Sequence, residues 1–116
     1  MRSDDWRHII HGNEIPTDYY SDQPYIVRTD DGAWLCTLTT GAGREGQHGQ
    51  HIVVLRSEDR GESWSEPLQL ESPEGPEASY AVLLKVPTGR VYCLYNYNAD
   101  NIREVKGDPQ HAPDMV

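Results

Sequence analysis

The sequence predicts an all-β fold built from repeated antiparallel sheets. Short segments rich in β-branched and aromatic residues alternate with turns rich in Gly, Asp and Pro, which is typical of consecutive antiparallel strands. One strand–turn–strand pattern recurs after 57 residues, since Gly32 precedes Gly89 and Cys36 precedes Cys93 by that distance. A fixed period of this size indicates a repeat architecture.

Each predicted strand has a local reason. Gly32 and Gly89 end the turns within the two repeated hairpins, because glycine accepts the positive φ of a tight turn. A glycine-rich loop over 41–49 leads into the apolar, β-branched third strand. Pro67 suits an edge position in the fourth strand, because proline has no N–H to donate. The six strands are predicted at about 25–29, 33–39, 50–56, 63–70, 80–86 and 90–96.

These strands divide the chain into three parts. Residues 1–18 have no clear period and are expected to form an irregular lead-in, and residues 19–70 hold the first four-stranded unit. Residues 71–116 hold two strands of a second unit and a polar loop. Four-stranded units at a fixed period are typical of β-propeller blades, and a propeller needs about four to eight blades to close. We therefore expect about one and a half blades here and the remaining blades in a longer chain, with a ring of several copies as the alternative.

The composition limits the classes of partner and cofactor that we expect the protein to bind. The formal net charge is -9, and no basic stripe is present, so neither nucleic acid nor a membrane surface is an expected partner. The sequence has no apolar run of about 18 residues and no apolar signal-peptide core. It thus predicts a cytoplasmic protein if Met1 is the true start, and otherwise allows a secreted one. Cys36 and Cys93 lack metal-site spacing, so we expect buried free thiols, or alternatively a disulfide, and neither metal nor cofactor.

The segment between the third and fourth predicted strands has the pattern Ser-x-Asp-x-Gly-x-x-Trp. Short polar side chains of Ser and Asp bond the backbone of a turn, and a Trp anchors it on a sheet. We expect a structural rather than a catalytic role for these residues. They are Ser57, Asp59, Gly61 and Trp64.

This motif resembles the Asp-box of sialidases, and residues 22–98 resemble the opening of a sialidase-like six-bladed β-propeller. The resemblance implies a sialidase-like exo-glycoside hydrolase, with a non-catalytic carbohydrate-binding or scaffold propeller as the alternative. Typical sialidases open the first blade with an Arg-Ile-Pro run whose arginine binds the sialic acid carboxylate. The chain instead has Asp22-Gln23-Pro24, and the Asp22 carboxylate would repel an acidic sugar. A neutral sugar is therefore the better expectation.

The resemblance also implies which side of the ring carries the active site. That side holds the start of each first strand, the loop after each second strand and the link between blades. Asp22, Glu45 and Glu77 lie there, and we expect them to be catalytic, because carboxyl groups serve as general acids or hydroxyl acceptors in glycoside hydrolysis. A purely local role as a cap or exposed charge is the alternative for each candidate. The expected substrate-binding residues are Gln23, Arg44, His48, His51, Tyr80, Asn96 and Asn98.

Overall fold

The computed structural model describes residue 5 and residues 7–102. It is all-β with antiparallel sheets, which confirms the predicted class. Residues 1–4 and 6 of the lead-in and residues 103–116 of the predicted polar loop lie outside the described residues. A 3-10 turn, Ile9–His11, precedes the strands. The first sheet has four strands in chain order, β1 Tyr20–Arg28, β2 Trp34–Gly41, β3 His51–Ser57 and β4 Leu68–Gln69. The second sheet consists of β5 Ala78–Lys85 and β6 Val91–Tyr97.

The 57-residue repeat is present in the backbone as well as in the sequence. The turn between β1 and β2 is closed by the Gly32 N–H, which donates to the Thr29 carbonyl at 3.0 Å. The turn between β5 and β6 is closed by the Gly89 N–H, which donates to the Val86 carbonyl at 2.9 Å. The two glycines have φ values of 87° and 91°. The two hairpins therefore use the same turn at equivalent positions.

The two hairpins also share a β-bulge. The register slips between Asp22 and Tyr25 in β1 and at the equivalent place in β5. Gln23 and Tyr80, which occupy the same repeat position, have φ values of 53° and 59°, a conformation that is uncommon for residues other than glycine. The Tyr80 N–H donates to Gln23 Oε1 at 2.9 Å, so the bulges are joined to each other. Bulges re-aim side chains, and this one sets the direction of Tyr80.

The two sheets pack against each other through a cluster of buried and half-buried side chains. Ile52 of β3 is buried with Ala78 and Ala81 of β5, and Cys93 and Tyr95 of β6 cover this cluster in part. Alternate residues point to opposite faces of a strand, so the first sheet has a second apolar face. That face buries Cys36, Leu38, Val53 and Leu55 beneath Ile15 and Trp64.

One face of the second sheet is apolar and uncovered by the described residues. Val82 pairs with Leu94 and Leu84 pairs with Tyr92, and all four side chains are exposed. The repeat equivalent of Leu94 in the first sheet is Thr37, which lies on the covered face and is 0% exposed, whereas Leu94 is 53% exposed. The second sheet thus covers the Thr37 face of the first sheet. The equivalent face of the second sheet, which carries Leu94, remains open.

The structure corrects two of the predicted strands. β1 begins at Tyr20 rather than near residue 25, because the bulge lets its pairing with β2 continue as far as Gly41. β4 is limited to Leu68–Gln69, whereas a strand over 63–70 was predicted. The regular pairing stops before Leu68 because Ser65 bonds Arg56 out of register: its N–H donates to the Arg56 carbonyl at 2.8 Å, and its Oγ accepts the Arg56 N–H at 2.9 Å. The other four strands agree with the prediction within about two residues. None of the described elements is a helix with the length and apolarity of a membrane span.

Candidate functional site

An open cleft of about 1030 Å³ lies between the loop that follows β2 and the second sheet. The loop contributes one wall, and the start of β5 and the end of β6 contribute the other. Five of the predicted site residues line it together, as their shared side of the sheets predicts. They are Glu45, Glu77, Tyr80, Asn96 and Asn98.

Tyr80 and Glu45 connect the two walls of the cleft. The Tyr80 hydroxyl donates to Glu45 Oε1 at 2.8 Å. This hydrogen bond and the adjacent negative charge raise the pKa of the Tyr80 phenol, because ionisation would lose the donor and place two anions together. Tyr80 is therefore a protonated hydrogen-bond donor at neutral pH, held in place by the loop carboxylate.

A second phenol–carboxylate pair adjoins the cleft. The Tyr20 hydroxyl donates to Asp22 Oδ2 at 2.9 Å. That bond, followed by burial and by the charges of Asp22 and Glu45, raises the pKa of Tyr20 to about 12. Asp22 does not line the cleft itself, but its charge contributes to raising the pKa of Tyr80. Asp22 thus accepts a hydrogen bond from Tyr20, and its negative charge helps to raise the pKa of Tyr80 in the cleft.

Two carboxylate oxygens at this site are buried without a protein donor. Glu77 is 6% exposed, and its Oε1 has no hydrogen-bond partner. Asp22 Oδ1 is also buried and unpartnered. A buried acceptor that lacks a donor costs about 1–3 kcal/mol. Glu77 therefore lines the cleft with a carboxyl group whose Oε1 receives no hydrogen bond from the protein.

Gln23 supports the cleft rather than lining it. Its Oε1 accepts hydrogen bonds from the Tyr80 N–H at 2.9 Å and from Thr39 Oγ1 at 3.2 Å. The side-chain oxygen expected to contact a sugar is therefore engaged within the protein, and it holds the bulge that carries Tyr80.

Three other predicted binding residues lie outside the cleft lining. Arg44 and His48 are exposed in the loop, where the Arg44 N–H donates to Gln47 Oε1 at 2.9 Å. His51 is 2% exposed, and its Nδ1 lies 3.0 Å from the Gly49 carbonyl oxygen. Its position at the start of β3 turns the imidazole into the protein.

The sequence prediction did not select several residues that the structure places in or beside the cleft. Gln47 lines it from the loop, and Ser79 and Tyr97 line it from the strands. Ser79 and Tyr97 are sequence neighbours of Tyr80, Asn96 and Asn98, so proximity along the chain could have found them. Tyr20 is two residues from Asp22, so proximity along the chain could have found it as well, although its hydrogen bond to Asp22 could not be read from the sequence.

The Asp-box turn lies outside the cleft lining and is held by its own side chains. Ser57 Oγ accepts the Gly61 N–H at 2.7 Å and donates to Asp59 Oδ1 at 2.8 Å. The Ser63 hydroxyl and N–H both donate to Asp59, and these bonds lower the pKa of its carboxyl group. Trp64 packs on the core of the first sheet.

Neither a metal cluster nor a disulfide is found in the described part of the chain. No three His, Cys, Asp or Glu residues among 5 and 7–102 are grouped so that they could hold a metal ion. Cys36 and Cys93 are free thiols, buried and half-buried respectively, and burial raises the pKa of both. Reactive thiolates are favoured by the opposite environment.

The cleft offers hydrogen-bonding groups of several kinds within one open surface. Carboxylates accept, and the Asn96 amide both donates and accepts. The Tyr80 hydroxyl already donates to Glu45, and the Asn98 amide is already bonded to the N–H and the carbonyl of Ile102 at 3.1 and 2.9 Å. No protein-family model matches this chain, and no curated protein matches it.

Proposed function

We propose that the two sheets are consecutive blades of a sialidase-like β-propeller. The shared turn, the shared bulge and the chain-order meander of β1 to β4 support this proposal, because propeller blades are four-stranded antiparallel units that repeat. The open face of Val82, Leu84, Tyr92 and Leu94 would receive the next blade, as the equivalent face of the first sheet receives the second. The chain would then supply about one and a half blades of the ring.

The cleft of this propeller would bind a glycan, and the complete ring would hydrolyse it. The observation that carries this proposal is the assembly of Glu45 and Glu77 with Tyr80 and two asparagines in one open cleft. Carboxylates, amides and an aromatic ring are the groups that bind sugar hydroxyls and the apolar face of a sugar ring. Glu77 is the strongest candidate for the general acid or base, because its Oε1 is free of any protein partner.

The remaining residues would orient the substrate. Glu45, held by Tyr80, would accept a hydrogen bond from a sugar hydroxyl, and the Asn96 amide would bind a second one. Asn98, whose amide is bonded to Ile102, would shape the cleft wall. Asp22 would act from beside the cleft through Tyr20. The described lining contains neither Lys nor Arg, so a sugar carboxylate would meet no opposite charge. The proposed substrate is accordingly not a sialic acid.

The test is turnover of a panel of chromogenic aryl glycosides by the complete propeller. Glu77→Gln keeps the size of the side chain and should lower kcat by about 100-fold or more. Glu74→Gln is the matched control, because Glu74 is exposed and does not line the cleft. Unchanged turnover in Glu77→Gln would exclude Glu77 from catalysis. If the unchanged propeller binds a sugar but turns over none of the aryl glycosides, it is a non-catalytic binding protein instead.

A further inference from the structure

We infer that the cleft selects a sugar that carries a protonated amine over the matching neutral or acidic sugar. The inference rests on the proposed glycan function and specifies the substrate class. Its first basis is Glu77, a carboxylate that is 6% exposed, lines the cleft and has an Oε1 without any donor. A buried, unpaired carboxylate oxygen requires a donor, and a cationic donor compensates its charge as well.

The second basis is the charge of the described residues that line the cleft, which include carboxylates and neither Lys nor Arg. Glu45 lines the cleft with Glu77, and the charge of Asp22 reaches Tyr80 from beside it. Arg56 and Lys85 lie near the ends of β3 and β5 away from the cleft, where they pair with Asp31 at 2.7 Å and Asp30 at 2.6 Å. The Arg44 side chain does not line the cleft.

The donor groups already present do not remove this imbalance. The Tyr80 phenol donates to Glu45, and the Tyr20 phenol donates to Asp22, so both carboxylates are hydrogen-bonded but remain without a cation. A ligand hydroxyl brings one donor and no charge, whereas an ammonium group brings three donors and a positive charge. A hydroxyl that donates to a carboxylate already forms a charge-assisted bond, so the ammonium group gains over it through its extra donors and through the attraction between opposite charges.

The size of the preference follows from the openness of the cleft. Solvent and salt weaken an ion pair at an open site, so we expect about tenfold tighter binding of the amino sugar than of the neutral one. The acidic sugar should bind more weakly than both. The preference should shrink as the salt concentration rises, because screening acts on the charge and leaves hydroxyl contacts in place.

The experiment compares three sugars of the same ring, the methyl glycosides of glucosamine, glucose and glucuronic acid. Their dissociation constants from the 116-residue chain are measured by isothermal titration calorimetry at low salt and about pH 6, where the sugar amine is protonated. Glu77→Gln and Glu45→Gln should each reduce the preference for the glucosaminide several-fold. Glu45 lies on an exposed loop, so its replacement tests the charge effect without disturbing the core.

The controls separate this inference from the proposed glycan function. Glu74→Gln, which removes an exposed charge outside the cleft, should keep the full preference, and circular dichroism verifies the fold of each variant. Equal binding of the glucosaminide and the glucoside would overturn the inference and leave glycan binding intact. A preference that Glu77→Gln and Glu45→Gln both retain would also overturn it. Binding of none of the three sugars would refute both proposals.

Discussion

Replacing Gly61 with alanine tests how the Asp-box turn is packed. Gly61 has a φ of +84°, and an added Cβ would lie 3.0 Å from Trp34 Cζ3. Gly32 has a similar φ of +87°, but nothing lies within 4 Å of the Cβ position. Both substitutions place an L side chain in left-handed backbone, which costs about 1–2 kcal/mol. Only Gly61→Ala adds overpacking, which costs about 1–3 kcal/mol more.

The expected loss in free energy of unfolding is therefore about 2–5 kcal/mol for Gly61→Ala and about 1–2 kcal/mol for Gly32→Ala. Urea unfolding followed by circular dichroism measures the difference between them. Tryptophan fluorescence is the weaker probe, because the substitution alters the surroundings of Trp34 directly. Equal losses for the two variants would refute the close packing of Trp34 on the turn.

Three further predictions concern the core, the phenol pairs and catalysis. Leu55→Ala should destabilise the chain by about 2–5 kcal/mol, because Leu55 is 1% exposed. Leu94→Ala on the open face should cost less than about 1 kcal/mol. Equal losses in urea unfolding would contradict the packing described. Tyr20 should ionise near pH 12, and Asp22→Asn should lower that pKa in a titration of tyrosinate absorbance; an unchanged titration would contradict the Tyr20–Asp22 bond. Because the folded-state pKa of Tyr20 lies above the usual value near 10, this bond stabilises the fold below about pH 10 and is lost as pH rises through about 12. Glu77→Gln should abolish most turnover of the complete propeller while Glu74→Gln keeps it, as measured with aryl glycosides.

The sheets could be predicted because their signals are local. Alternation of residue types identifies a strand, and glycine at a turn identifies where it ends, as at Gly32 and Gly89. The 57-residue period then predicted that the second hairpin repeats the first. The strand directions placed Glu45 and Glu77 on one side, where the structure forms the cleft.

The bulges, the burial of His51 and the short fourth strand could not be predicted, because they depend on contacts between residues far apart in the sequence. Nothing in Gln23 or Tyr80 favours a positive φ, so the bulges that aim Tyr80 left no trace in the sequence. His51 is the first residue of β3, and the register between β3 and its neighbour decides which side of the sheet His51 faces. Its burial could therefore not be predicted from the sequence. The short fourth strand was not visible in the sequence, because it depends on which residue bonds Arg56, and in the structure that residue is Ser65.

Glycan binding in the cleft at Glu45, Glu77 and Tyr80 can be measured residue by residue. The ¹⁵N-labelled chain is titrated with methyl glucoside, and the amide chemical shifts are followed. We predict saturable shifts for the amides of Glu45, Tyr80 and the Asn96–Asn98 segment, with the Asp-box turn at Ser57 to Trp64 unchanged. Shifts confined to residues outside the cleft, or none at saturating sugar, would contradict glycan binding in the cleft.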